Sequence, residues 1–343
     1  MSSLIAAAGK ASRAARRRRR ARSGCSGLFL TALLVVACNA GCSPDAASAG
    51  ASGSFSAGGG SAEGALWTTN AGKYSLSLGS TYLELDPEDG ARMTALRVGG
   101  STGDNLLADS ATTGQVDNWG STFWPSPQNW AWPPTDDGSI NALNTLPYTA
   151  VGDALTLTLT SQVNATPPTL SVIKRISTDV AKQAIIIDYT MTNGGPAPVT
   201  VAPWEVTRVA AGGITFYEDA GVSGVIAGTT LTDGVRWYKH DPSGAQPDKL
   251  FSDGKGWLTH AAGNLLLIKS FPDITPNQSP TGEAEIAIYS AAQYVEVENQ
   301  GAVQTLAPGD ALHWTVRWYA RTLATPAVVG SADLVAYVQD QIK

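Results

Sequence analysis

Hydrophobic and polar positions alternate with period two through most of the chain after residue 66. The clearest runs are YSLSL (74–78), LTLTLTSQV (155–163) and AIIIDYTMT (184–192). Alternation sends successive side chains to opposite faces, so each run predicts a strand. Runs of the same kind cover 82–85, 93–98, 170–177, 199–209, 213–217, 265–270, 285–289, 294–298 and 311–321. Gly, Pro, Asn and Asp, the turn residues, separate them. Helical period is confined to 331–342, where Leu334, Val335, Val338 and Ile342 form one stripe and Ser331 stands at the cap position. There is no strand–helix–strand spacing and no fixed repeat. One uninterrupted domain, 67–343, is expected: all-β, a large antiparallel sandwich with a short C-terminal helix.

The first 66 residues read differently. Seven Arg and one Lys, with no acid, lie in residues 1–37. A short apolar run, 28–37, follows the basic block and is too short to span a bilayer, which needs ~20 apolar residues. This is the pattern of a secretory signal. The junction Val35-Val36-Ala37-Cys38 resembles the bacterial lipobox, which implies lipidation at Cys38; Cys42 lacks the aliphatic residue that opens that pattern. Residues 43–66 are mostly Ser, Gly and Ala and read as a flexible tether. The expectation is a bacterial cell-envelope protein: signal peptide over 1–37, lipidated Cys and tether over 38–66, membrane held through the lipid anchor.

Charge and composition narrow the partners. Beyond residue 37 the chain carries 15 basic against 29 acidic residues. Such an acidic body has no electrostatic footprint for nucleic acid. All three Cys lie in the first 42 residues, and three His (His240, His260, His313) are scattered. No P-loop, nucleophile elbow, metal-ligand spacing or dinucleotide fingerprint is present, so neither a metal nor a cofactor is expected.

Four of the ten Trp fall between residues 119 and 132, in the segment WGSTFWPSPQNWAWPP. Its prolines argue against a helix and against a strand, so an irregular loop is expected. Its rings serve either as packing against the sandwich or as a binding floor, on which indoles stack against the C–H faces of sugars. Trp124, Trp130 and Trp132, with Gln128 nearby, are the candidate floor. The stretch VRWYKHDPSGAQPDK (235–249) also reads as a loop, either a pocket rim or free surface, and Arg236, Lys239 and Lys255 are candidate cations for an acidic sugar.

Three stretches carry a family resemblance. They are the acidic turn Asp89-Gly90-Ala91 with Asp104-Asn105-Leu106-Leu107 after it; the long strand ending at Asn193 with Pro198 to Trp204 following; and Tyr294-Val-Glu296-Val-Glu298 with Leu306-Ala-Pro308-Gly309-Asp310. In that order they resemble the galactose mutarotase-like (aldose 1-epimerase-like) superfamily, whose fold is an antiparallel supersandwich. Phe123-Trp-Pro-Ser-Pro-Gln128, Ala202-Pro-Trp204-Glu205-Val-Thr207 and the Glu296–Glu298 strand resemble a branch of it of unknown function.

The resemblance implies a sugar site. The family uses a Glu base at the anomeric hydroxyl and a His acid at the ring oxygen. Glu296 and Glu298 share a strand face with Tyr294, and repulsion between the two carboxylates would raise one pKa; the other reading is a solvated acidic face. Where the acid should lie the chain has Trp204-Glu205 and no His, and the segment expected to carry the family's Arg has none. Glu205 is the candidate replacement acid, or else an ion-paired surface carboxylate. Arg208 is the candidate cation and Trp204 a stacking ring. Three functions follow: a carbohydrate-binding sandwich with a Trp- and carboxylate-lined cleft, a carbohydrate epimerase using Glu296, Glu298 and Glu205, or a structural envelope protein without a ligand.

Overall fold

The computed structural model describes residues 66–128, 141–221, 226–244 and 248–343. They form two antiparallel sheets. The first, of 11 strands, runs from the Leu66–Asn70 edge through Lys73–Leu78, Thr81–Asp86, Arg92–Val98, Ser121–Ser126, Val199–Ala210, Tyr294–Gln300 and Ile286–Ser290 to Asp248–Ser252. The second, of 10 strands, has Ala311–Thr322 and Ala184–Asn193 near its middle. The sheets pack face to face, and the expected all-β supersandwich is what the chain forms. The C-terminal helix is Ala332–Ile342, capped by Ser331 Oγ, which accepts from the Leu334 N–H at 3.2 Å; Leu334 and Val338 are its buried residues.

The interlayer space is packed with large rings. Phe123 stacks on Tyr189 with centroids 4.0 Å apart and planes at 7°, and Trp314 leans on both. It also holds charge. Lys269 and Glu205, both fully buried, meet at 2.8 Å, and Glu205 accepts two further bonds, from Tyr189 Oη at 2.6 Å and Trp318 Nε1 at 3.0 Å. A buried pair of this kind is tolerated because every charge has a partner.

The aromatic segment corrects one expectation. Ser121–Ser126 is a strand, Pro125 included, paired along Val199–Ala210. Phe123 explains why. Its backbone N–H and C=O turn away from that partner and bond the Asn144 side chain at 3.2 and 3.0 Å. Pro125, two residues on, turns the same way, toward a flank where the neighbouring Arg92–Val98 strand is paired only at Ser121. The missing N–H therefore costs the ladder nothing.

The presumed loop at 235–249 is also corrected. Val235–Lys239 is a strand of the second sheet, and Asp248–Ser252 is the far edge strand of the first. Alternation in each is only five residues long, too short to stand out among turn residues.

The approach to the aromatic strand is clamped. Buried Arg92 bonds Asp89 Oδ2 at 2.8 Å and the carbonyls of Asp117 and Trp119 at 2.9 and 2.7 Å. The Asp89-Gly90-Ala91 turn needs its glycine: φ is +63°, and a Cβ there would meet the Asn144 backbone at 2.3 Å.

Candidate functional site

Opposed residues of an antiparallel sheet share a face. Across the first sheet this aligns distant parts of the sequence in rows. One row is Arg208, Glu296, Tyr289 and Lys249, from four adjacent strands. The next is Thr122, Val206, Glu298, Ala287 and Phe251; the third is Trp124, Trp204 and Gln300. Phe123, Glu205 and Thr207 alternate with these and point between the sheets, so the rows lie on the outer face.

A cavity of about 290 Å³ opens on this face. Trp124, Trp204, Tyr289 and Tyr294 supply aromatic walls, Glu296, Arg208 and Lys249 the charges, and Asn118 and Gln128 the amides. Small-molecule sites span roughly 300–1,000 Å³, so this one suits a single small ring.

Its polar groups are fixed by one another. Arg208 Nε donates to Glu296 Oε1 at 2.8 Å, and Nη1 to Thr122 Oγ1 at 2.7 Å. Trp124 Nε1 donates to the same Thr122 oxygen at 2.8 Å. Trp204 Nε1 donates to Glu298 Oε2 at 2.7 Å, and Lys249 Nζ meets that oxygen at 2.8 Å while lying 4.7 Å from the Trp204 ring centroid. Lys249 also donates to Gln128 Oε1, and Gln128 donates to Glu283 through its Nε2 at 3.2 Å.

Glu298 is fully buried, beneath the cavity rather than on its wall. Burial pushes its carboxyl up to about 7; the Glu296 charge adds to this and Lys249 opposes it. Its Oε1 has neither solvent nor a hydrogen-bond partner. Burial and the Glu296 charge also raise the Tyr289 and Tyr294 hydroxyls, keeping both as donors.

Six expected site residues come together at the cavity: Trp124, Gln128, Trp204, Arg208, Tyr294 and Glu296. Of the two candidate bases, Glu296 faces the cavity, and Glu298 anchors Lys249 and Trp204 from below. Glu205 is a correction. It neighbours Trp204 on an unbroken strand, so it points the opposite way, into the interlayer with Lys269, Tyr189 and Trp318, and it does not reach the cavity. Arg236 is bound to Asp219 and Lys255 to Glu218, away from this site. Trp130, Trp132 and Cys38 lie outside the described residues.

No His lines the cavity. His240 is buried in a structural role: Nδ1 accepts from the Gly212 N–H at 2.7 Å and Nε2 bonds the Ala291 carbonyl at 3.0 Å. Sequence reasoning missed Lys249, Tyr289 and Asn118. Tyr289 ends an expected strand, but its face is set by the register with Glu296.

No protein-family model matches the chain, and no curated protein sequence matches it. Solved structures do. A candidate aldose 1-epimerase from Escherichia coli K12 superposes with a TM-score of 0.51 at 12% identity, over 73% of this chain and 99% of the other. A galactose mutarotase-like protein from Lactobacillus casei gives 0.51 at 13% identity, over 75% and 100%. A galactose mutarotase related enzyme from Lactobacillus acidophilus gives 0.51 at 8%, over 75% and 100%. Two large antiparallel sheets, stacked and matched over nearly the whole of these three proteins, mean that this chain has the galactose mutarotase-like fold.

Proposed function

We propose that the chain is a carbohydrate-binding protein of the bacterial cell envelope, taking one sugar ring in the outer-face cavity. The observation that carries this is the cavity wall: four aromatic rings around an Arg208–Glu296 pair, with amides at the rim. Indole and phenol faces match the C–H faces of a pyranose. Carboxylate, guanidinium and amide groups held by their own bonds are preorganised for hydroxyls, which lowers the ordering cost of binding. The names of the fold neighbours, aldose epimerase and galactose mutarotase, belong to sugar chemistry and support the same ligand class. The envelope location rests on the signal-like N-terminus and the lipobox-like Cys38 of the sequence. A thermal-shift screen of the full chain against neutral, acidic and oligomeric glycans tests the reading: a ligand that binds the folded state raises Tm with RT ln(1 + [L]/Kd). No shift with any glycan contradicts it.

A second reading is favoured by one further feature. Glu296 and Lys249 lie in the same row, two strands apart, and both line the cavity. Two strand spacings are about 10 Å between Cα atoms, and both side chains reach inward. A carboxylate and an ammonium on either side of a pyranose can act as base and acid. Glu296 takes the proton of the anomeric hydroxyl, the ring C–O bond breaks, and Lys249 gives a proton to the departing ring oxygen. Reclosure on the other face of the aldehyde returns both protons and yields the other anomer. Anomer exchange followed by NMR tests this, with loss of catalysis expected in Glu296→Gln and Lys249→Met.

A further inference from the structure

Gln128 stands at the edge of the cavity. A second and larger hollow, about 770 Å³, adjoins it on the same face, and Gln128 lines both. Strand geometry places the two side by side. Lys249 lines the cavity, and Phe251, two residues along the same edge strand and on the same side, lines the hollow. Trp204 lines the cavity, and Thr200, four residues earlier on its strand, lines the hollow. Four residues of strand are about 13 Å.

The boundary between the two is a built waist. Lys249 Nζ bonds Gln128 Oε1 and lies 4.7 Å from the Trp204 ring centroid on one side and 5.6 Å from that of Phe251 on the other. Glu283 fixes the waist from the side of the hollow, accepting from the backbone N–H and Nε2 of Gln128, from Ser126 Oγ and from Gln300 Nε2. Beyond it, the hollow presents one aromatic ring, Phe251, beside Asn277 and Thr281 on the Pro276–Gln278 turn and the segment after it. One ring among amides and hydroxyls is the chemistry of a sugar subsite, repeated from the cavity.

We propose that the ligand is an oligosaccharide: the terminal unit sits in the cavity, the chain crosses the Gln128–Lys249 waist, and the following units lie in the hollow against Phe251, Asn277 and Thr281. This rests on the carbohydrate reading of the cavity and adds the length of the ligand to it.

The test is calorimetric titration of the full chain with cello-, xylo-, malto- and β-1,4-galacto-oligosaccharides of one to four units. In the series that binds, affinity rises about tenfold or more between one unit and three, the worth of one added aromatic contact. Thr281→Trp, which puts a bulky ring into the hollow beside Phe251 and Asn277, and Asn277→Ala, both at exposed positions, remove that gain and leave monosaccharide affinity unchanged. Equal affinity for all lengths overturns the oligosaccharide proposal and leaves the cavity reading standing. A gain that persists in both variants places the added units elsewhere and overturns it too. Failure of every sugar to bind overturns both.

Discussion

Arg208 and Glu296 stand directly opposite each other on neighbouring strands, with Arg208 Nε 2.8 Å from Glu296 Oε1, and Arg208 is only 2% exposed. This pair sets the charge and the shape of the cavity at once. Glu296 cannot swing away, because Arg208 is itself held by Thr122.

Removing one partner leaves a nearly buried charge alone. Glu296→Ala is expected to lower stability by about 3–5 kcal/mol, and the double change Glu296→Met with Arg208→Met to recover part of that loss. Urea unfolding of the wild type, Glu296→Ala, the double variant and its two single variants, Glu296→Met and Arg208→Met, measures it. Additive losses in the double variant would mean that the two residues do not act as a pair.

The interlayer pair makes a separate prediction. Glu205 is bound to Lys269, Tyr189 and Trp318 and does not reach the cavity. Glu205→Gln is expected to cost about 3–5 kcal/mol of stability and to leave sugar affinity of the folded protein unchanged. A folded Glu205→Gln protein with normal stability and no binding would return Glu205 to the site.

Stability should also fall as pH rises from mildly acid to neutral, for a nameable reason. Burial lifts Glu298 from 4.5 to about 7 and Glu285 from 4.5 to about 8. Between these limits the folded state holds protons that the unfolded chain releases, so their contribution is complete below 4.5 and is lost as pH passes the raised values. Glu298→Gln and Glu285→Gln each remove part of this slope, measured as Tm against pH. An unchanged slope in both would place the protons elsewhere.

The anchor is testable in cells. With lipidation at Cys38, [³H]palmitate labels the wild-type chain, and Cys38→Ser abolishes the label and releases the protein from the membrane fraction. Labelling that survives Cys38→Ser and is lost in Cys42→Ser moves the anchor to the rival cysteine.

How much of this could be read in the sequence depended on alternation. LTLTLT and YSLSL show it plainly, and the sandwich follows. Trp204 and Arg208, four apart, belong on one face by the same rule. Glu205 was harder. In APWEVTRV both faces are covered, one by the second sheet and one by the cavity floor, so composition does not distinguish inside from outside. Pro125 misled because a strand with one unpaired flank accepts proline, and that flank is a tertiary fact. Lys249 was invisible as a site residue. It lies on a short polar edge strand, and only the register through Tyr289 and Glu296 to Arg208 brings it to the cavity.

Sugar binding in the outer-face cavity is proposed to run through Glu296. The most direct measurement is calorimetric titration of the full chain and its Glu296→Gln variant with the glycan class that shifts Tm, at concentrations up to about tens of millimolar, where weak sugar affinities fall. One-to-one binding by the wild type is expected, with a loss of at least about tenfold in a variant whose circular dichroism is unchanged. Equal affinity in the two proteins would contradict it.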